Sequence, residues 1–300
     1  MDQEISQLPY FQTLSCDSWQ EDFPDLARER SIRALERGLF IYFPHLAFHL
    51  FPAEMPLLST RFSTRKRKNI SYNRLTDEIR GAKNTTEQEL QALRGMLGRF
   101  AEYARQLVEN LFPLYQPTLI WGRTSYRPVQ ITNRPTSYRK DDKRLHIDAF
   151  PASPNQGKRI LRVFCNINPH GEDRIWRLGE PFEQVVDQFL PQIKKPLPGS
   201  SQLLKMLGVT KGLRTGYDHY MLHIHDTMKA DEEYQKEVQQ TEMRFPPGST
   251  WIVQTDQVSH AAMSGQFMLE QTFYLPVSAM QNPQLSPLKI LERKLGRSLI

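Results

Sequence analysis

The chain has two cysteines, Cys16 and Cys165, in 300 residues. Two thiols cannot build a disulfide framework, so the expected compartment is reducing. No run of 18 or more apolar residues occurs, which excludes a membrane-spanning helix by hydropathy. The opening residues Met1, Asp2, Gln3 and Glu4 are acidic and lack a basic region leading into an apolar core, so no secretory signal is expected. Neither GxSxG, a Walker loop nor GxGxxG follows a strand pattern. Hydrolase, nucleotide-triphosphatase and dinucleotide-binding readings therefore lack their central motif. These absences place the chain in the cytoplasm as an expectation.

What is present is enough apolar residue (39%) for a full core, and 39 Lys+Arg against 33 Asp+Glu, a net charge of +6. The excess is local. Residues 61–74 hold Arg61, Arg65, Lys66, Arg67, Lys68 and Arg74 with no acid. Residues 123–144 hold Arg123, Arg127, Arg134, Arg139, Lys140, Lys143 and Arg144 against Asp141 and Asp142. Two such runs fit an anionic partner, although a basic run is commonly a solvated face.

Residues 37–58 are the most apolar stretch, broken by Pro44 and Pro52, and read as strands covering a core. Thr86 followed by Glu89 forms a capping box that opens a helix over 86–112, with Leu90, Leu93, Leu97, Phe100, Ala104, Leu107 and Leu111 on one stripe. From 118 the pattern changes to strands: TLIWGRTSYRPVQI, KRILRVFCNI, DRIWRL, STWIVQT and QFMLEQTFYLP. Ser286 and Pro287 open a basic amphipathic tail helix. The reading is one domain over 1–300, mostly β with flanking helices. Residues 1–117 form an N-terminal layer of strands and helices, 118–280 the β core with an insert at 180–242, and 286–300 the C-terminal helix.

Two histidine groups are candidate metal ligands. In His146-Ile147-Asp148, extended backbone projects the imidazole and carboxylate to one side. His260 follows a strand at 249–255 and precedes a second one returning from Gln266. Two imidazoles and one carboxylate form the facial triad of non-haem Fe(II) oxygenases. Asp148 lies 112 positions before His260, ample for an insert between the ligand segments. The rival is His219, His223 and His225. It is not HExxH, because Tyr220 follows His219, and it reads as a packed junction leading into a helix.

The segments RLHIDAFPASPNQGKRILRVFCNINP, RIWRLGEPF and PPGSTWIVQTDQVSHAAMSGQFMLEQTFYLP resemble the Kdo hydroxylases of Gram-negative bacteria, which are Fe(II)/2-oxoglutarate-dependent dioxygenases. The resemblance covers most of 35–285. It implies a double-stranded β-helix (jelly-roll, cupin-like) core and makes His146, Asp148 and His260 the iron ligands. It also implies hydroxylation of the sugar acid Kdo at carbon 3 in Kdo-lipid A, using dioxygen, with 2-oxoglutarate converted to succinate.

The far carboxylate of 2-oxoglutarate needs a cation. Many members of the wider superfamily place an arginine about ten residues beyond the distal histidine. Here that stretch reads Leu269, Glu270, Gln271, Thr272, without a base. Arg162 and Arg127 are the substitutes expected to bind the cosubstrate, and Trp176 is expected to wall its pocket, with Pro128 making the Arg127 strand an edge or bulge. The basic runs are candidates to meet an anionic lipid-linked sugar. The tail helix either touches the inner membrane surface or docks on the body, which would make the protein peripheral to that membrane. Two alternatives remain: the same iron chemistry on another small or protein substrate, and a non-enzymatic jelly-roll binding module. No nucleic-acid motif accompanies the basic runs, which argues against nucleic acid as a partner.

Overall fold

The computed structural model describes residues 10–63, 69–131 and 137–300. Arg65, Lys66, Arg67 and Lys68 of the first basic run, and Arg134 of the second, lie outside the described residues.

The strands are β1 (Phe11–Thr13), β2 (Phe40–Phe43), β3 (Ile70–Asn73), β4 (Glu78–Arg80), β5 (Ile120–Arg127), β6 (Arg159–Asn166), β7 (Arg174–Leu178), β8 (Thr241–Phe245), β9 (Thr250–Gln254), β10 (His260–Ser264) and β11 (Met268–Leu275). The helices are α1 (Asp25–Glu36), α2 (Glu87–Leu111), α3 (Phe182–Phe189), α4 (Ser200–Met206), α5 (Gly216–Ala230), α6 (Glu232–Glu237) and α7 (Pro287–Leu295). Eight strands form one sheet in the order β1-β2-β9-β6-β11-β5-β3-β4, and three form a second in the order β10-β7-β8. Every pairing is antiparallel except β1 with β2. The two sheets make a jelly-roll core with flanking helices, as expected.

Alternation along the strands explains the layers. Phe164 and Trp251 of the large sheet meet Trp176 and Phe245 of the small one in a buried aromatic seam. Phe245 and Trp251 stack there with ring centroids 3.9 Å apart. On the other side of the large sheet, α2 buries Leu93, Leu97, Phe100, Ala104, Leu107 and Leu111. Its start is the expected capping box: the Thr86 hydroxyl accepts from the Glu89 amide at 3.2 Å, and the Glu89 carboxylate accepts from the Thr86 amide at 2.9 Å. Helices α3, α5 and α7 pack with Leu145, Ile147 and Ala261 in a further cluster.

Several local expectations need revision. Only Phe40–Phe43 of the 37–58 stretch pairs as a strand, because proline removes ladder donors beyond it and Pro52–Leu57 coils into a 3-10 turn. The β5 strand is interior rather than an edge, with β3 and β11 on either side. Pro128 ends it instead of bulging it. The tail helix α7 buries Pro287, Leu288, Ile290 and Leu291, and its last-turn Arg293 and Lys294 pair with Glu183 and Asp187 of α3. The docked arrangement is the one observed.

Candidate metal centre and its pocket

His146 and His260 are neighbours through their backbones. The His146 amide donates to the His260 carbonyl at 3.0 Å, and the His260 amide donates back at 2.9 Å. This is one isolated bridge rather than a ladder strand, so the His-Ile-Asp segment is extended without belonging to a named strand. A further bond, from the Asp148 amide to the Thr255 carbonyl at 2.8 Å, ties the carboxylate to the end of β9. Burial of Leu145 and Ile147 behind the segment turns His146 and Asp148 to the opposite side. The side chains converge, with His146 Nε2 3.8 Å from Asp148 Oδ1. One ligand atom from each of His146, Asp148 and His260 lies within 4.8 Å of the others.

Both ring tautomers are set locally. His146 Nδ1–H donates to the Arg144 carbonyl and His260 Nδ1–H to the Val258 carbonyl, each at 2.8 Å. Each Nε2 therefore carries a free lone pair. Burial, and next the neighbouring His260 ring, lower His146 well below the usual histidine range, and burial also lowers His260. For Asp148, burial favours the neutral acid, but positive charge nearby, that of Arg162 foremost, offsets this and holds the carboxyl well below the usual range. Neutral imidazoles facing an ionised carboxylate are the protonation states that bind a divalent metal. Asp148 Oδ2 lies 3.1 Å from Arg162 Nη2 without hydrogen-bond alignment, which leaves lone-pair capacity on that oxygen. The donor set fits a metal that takes imidazole and carboxylate, with open positions on one side.

The three candidate ligands line a cavity of about 130 Å³, whose walls include Arg127, Arg162, Arg174 and Trp176. Trp176 is both wall and core aromatic: it is 2% exposed and stacks on His260, with centroids 5.0 Å apart. Arg127 donates to Glu270 at 2.6 and 3.0 Å. Arg162 reaches both Asp148 and Glu270 at 3.1 Å. Both expected cations are thus already engaged by carboxylates.

Arg174 was not anticipated. Its Nη1 donates to the Gly265 carbonyl at 2.8 Å, its Nε has no partner, and among the described residues it pairs with no carboxylate. Burial, with the Arg127 charge beside it, lowers it to about 9. Such a guanidinium stays charged and is stabilised by an arriving anion. Gly265 makes room for it: φ is +108°, and a Cβ there would sit 2.8 Å from Arg174 Cδ. The signal lay in RIWRL, where Arg174 and Trp176 share a strand face.

His225, expected at a structural junction, lies on α5 with its ring edge-on to His146, centroids 5.4 Å apart, and its Nδ1 2.9 Å from Asp226 Oδ1. His219 and His223 of the same helix pair with each other, centroids 4.4 Å apart. Among the described residues no second trio of candidate ligands gathers.

The inner cavity adjoins an outer one of about 570 Å³, the two sharing Arg127 and Arg162 in their walls. Trp121, Arg123, Ser125 and Arg127 alternate along β5 onto this face. The loop from Phe150 to Ser153 forms part of its mouth.

A family model described as 3-deoxy-D-manno-oct-2-ulosonic acid (Kdo) hydroxylase matches residues 18–298. Solved structures of the Kdo hydroxylase KdoO, described as a non-heme Fe(II) α-ketoglutarate-dependent dioxygenase, are similar throughout. The complex with α-ketoglutarate and Fe(III) is 46% identical with a TM-score of 0.93, and 97% of each chain is covered. The cobalt(II) complex is 47% identical with a TM-score of 0.94 over the same shares. The complex with succinate and Fe(III) is 46% identical with a TM-score of 0.93, again over 97% of each chain. Among curated proteins none matches the chain. The extended match and the assembled pocket lead to one assignment: the chain belongs to the Kdo hydroxylase family.

Proposed function

We propose that this chain hydroxylates Kdo at carbon 3 in Kdo-lipid A, with Fe(II) held by His146, Asp148 and His260 and with 2-oxoglutarate and dioxygen as cosubstrates. The observation that carries the reading is the convergence of two free Nε2 lone pairs and one ionised carboxylate beside a buried arginine without a carboxylate partner. When bound, the iron supplies oxidative decarboxylation of 2-oxoglutarate and transfer of one oxygen atom to the sugar.

The chain's own residues bind, orient and exclude water. Arg127, Arg162 and Arg174 are balanced by Asp142, Asp148 and Glu270, which line or adjoin the cavity. A divalent metal adds positive charge to this set, beside the buried Lys229 whose charge also reaches the two histidines, and so suits an anionic cosubstrate. Arg174 is the strongest anchor for its far carboxylate. The unpartnered N–H groups of Arg162 Nε and Trp176 Nε1 supply further buried donors. Arg127 and Arg162, through Glu270, hold that wall in place. The outer cavity then receives the sugar acid, with Arg123 at its rim. Its substrate is lipid-borne and presented at a membrane surface, rather than nucleic acid.

The test is incubation with Fe(II), 2-oxoglutarate, dioxygen and Kdo-lipid A. One oxygen atom gained by the Kdo, with stoichiometric succinate, is the expected result. Succinate release without that product would transfer the chemistry to another substrate.

A further inference from the structure

Residues 193–214 are the part of the surface that the fold leaves unexplained. They carry Lys194, Lys195, Lys205, Lys211 and Arg214 and not one Asp or Glu. Six large apolar side chains stand exposed on the same stretch: Leu197 at 77%, Leu203 at 51%, Met206 at 77%, Leu207 at 64%, Val209 at 50% and Leu213 at 41%. The helix within it, α4, has no buried residue. Among the described residues none of the five cations pairs with a carboxylate, in contrast to the last-turn cations of α7. Leucines left in water at this density are unfavourable unless something covers them.

The stretch is anchored beside the outer cavity. Lys211 donates its amide to the Ala152 carbonyl at 2.9 Å, and Arg214 Nη2 donates to the Pro151 carbonyl at 2.6 Å. Pro151 and Ala152 belong to the loop that forms the mouth of the outer cavity. The exposed apolar surface therefore stands next to that mouth.

We propose that residues 193–214 are a membrane-docking element, which inserts its leucines and Met206 into the interfacial region of an anionic bilayer. Apolar side chains interspersed with unpaired lysines match a surface with acyl chains below and negative headgroups above. A second protein would satisfy the leucines, but the complete absence of acids, with five cations that pair with no carboxylate among the described residues, selects the anionic lipid surface. Docking stands on this surface alone; its use, holding the cavity mouth against the bilayer where a lipid-linked sugar resides, rests on the function proposed above.

The experiment measures co-sedimentation of the full chain with vesicles of phosphatidylglycerol and phosphatidylcholine, and with phosphatidylcholine alone, in the absence of Kdo, iron and 2-oxoglutarate. The wild type is expected to bind the anionic vesicles, more weakly at high salt. The triple variant Leu203→Ser, Met206→Ser, Leu207→Ser should lose at least about tenfold in partitioning. Lys205→Gln with Lys211→Gln should lose about fivefold for each cation removed. Because these side chains are exposed, the circular dichroism and the turnover of a delipidated Kdo acceptor should stay at wild-type values, while turnover of vesicle-embedded acceptor falls. Wild-type partitioning that survives the triple substitution, or no binding to anionic vesicles, overturns docking. A wild-type dimer that the triple variant dissociates, without vesicle binding, overturns it in favour of a second copy. Vesicle binding without any turnover of Kdo would overturn the proposed function and leave docking supported.

Discussion

The indole of Trp176 lies over the imidazole of His260, with centroids 5.0 Å apart and planes 20° from parallel. Each residue is held by its own strand, Trp176 opposite Ala262 and His260 opposite Leu178 in the β7–β10 pair. The stack fixes the ring plane after the Val258 carbonyl has fixed the tautomer. Trp176→Phe keeps an aromatic surface but removes the Nε1 donor. Its expected effect is a higher KM for 2-oxoglutarate with metal affinity nearly unchanged. Trp176→Ala should also cost about 3–5 kcal/mol of stability, read by denaturant unfolding.

Replacing His146, Asp148 or His260 by Ala should weaken metal binding by more than about 100-fold, beyond what loss of a supporting residue costs. Calorimetric titration with cobalt(II) measures this directly, and circular dichroism checks that the fold persists. Wild-type metal affinity in any one of the three would remove that residue from the site.

Arg174→Leu should raise KM for 2-oxoglutarate by roughly 10- to 100-fold, the effect of losing a charge-assisted hydrogen bond of about 1.5–3 kcal/mol. Metal affinity should be preserved, since Arg174 touches no ligand. Succinate inhibition should weaken in parallel. An unchanged KM would shift the carboxylate anchor back to Arg162.

His225 and His223 sit two positions apart on α5 but face different partners. His225→Asn removes the ring packed edge-on against His146 and should lower activity and metal affinity measurably. His223→Asn disturbs the ring contact with His219, away from His146, and should leave both quantities close to wild-type values. Equal behaviour of the two variants would contradict the arrangement.

Glu270 gives a pH dependence with a definite sign. Burial would raise its carboxyl, but Arg127 and then Arg162 hold it below the usual range. A carboxyl lowered in the folded state stabilises the fold above its unfolded pKa of about 4.3, and that contribution is lost as pH falls through the lower folded value. Glu270→Gln should therefore be less stable than wild type at pH 7, with the difference narrowing below about pH 4. Chemical denaturation at the two pH values provides the comparison.

The sequence carried the local signals well and the non-local ones poorly. The helix of residues 87–111 was legible because a capping box and a 3.6-residue stripe agree within one segment. His146, Asp148 and His260 were legible as a set only through a spacing pattern plus long matching strings. The small strands β1, β3, β4, β8 and β10 were missed because three to five residues carry too little alternation to register. Arg174 was missed for a different reason: a buried arginine is recognised by the carboxylate it lacks, and that is a property of the assembled pocket. His225 reads as one histidine among three on a helix until α5 is placed against His146.

The mutual amide–carbonyl bonds of His146 and His260 separate the architecture of the candidate metal site from the length of chain between these two residues. One rung of backbone brings the two imidazoles together, and Asp148 and the β7 strand complete the arrangement without any candidate ligand from the helical insert. That segment holds α3, α4, α5 and α6, including the surface beside the cavity mouth. Residues 193–214 could be lengthened, shortened or exchanged for a stretch with another affinity while the ligand geometry stays fixed. Where the enzyme works and what it reaches can thus vary independently of the reaction it performs.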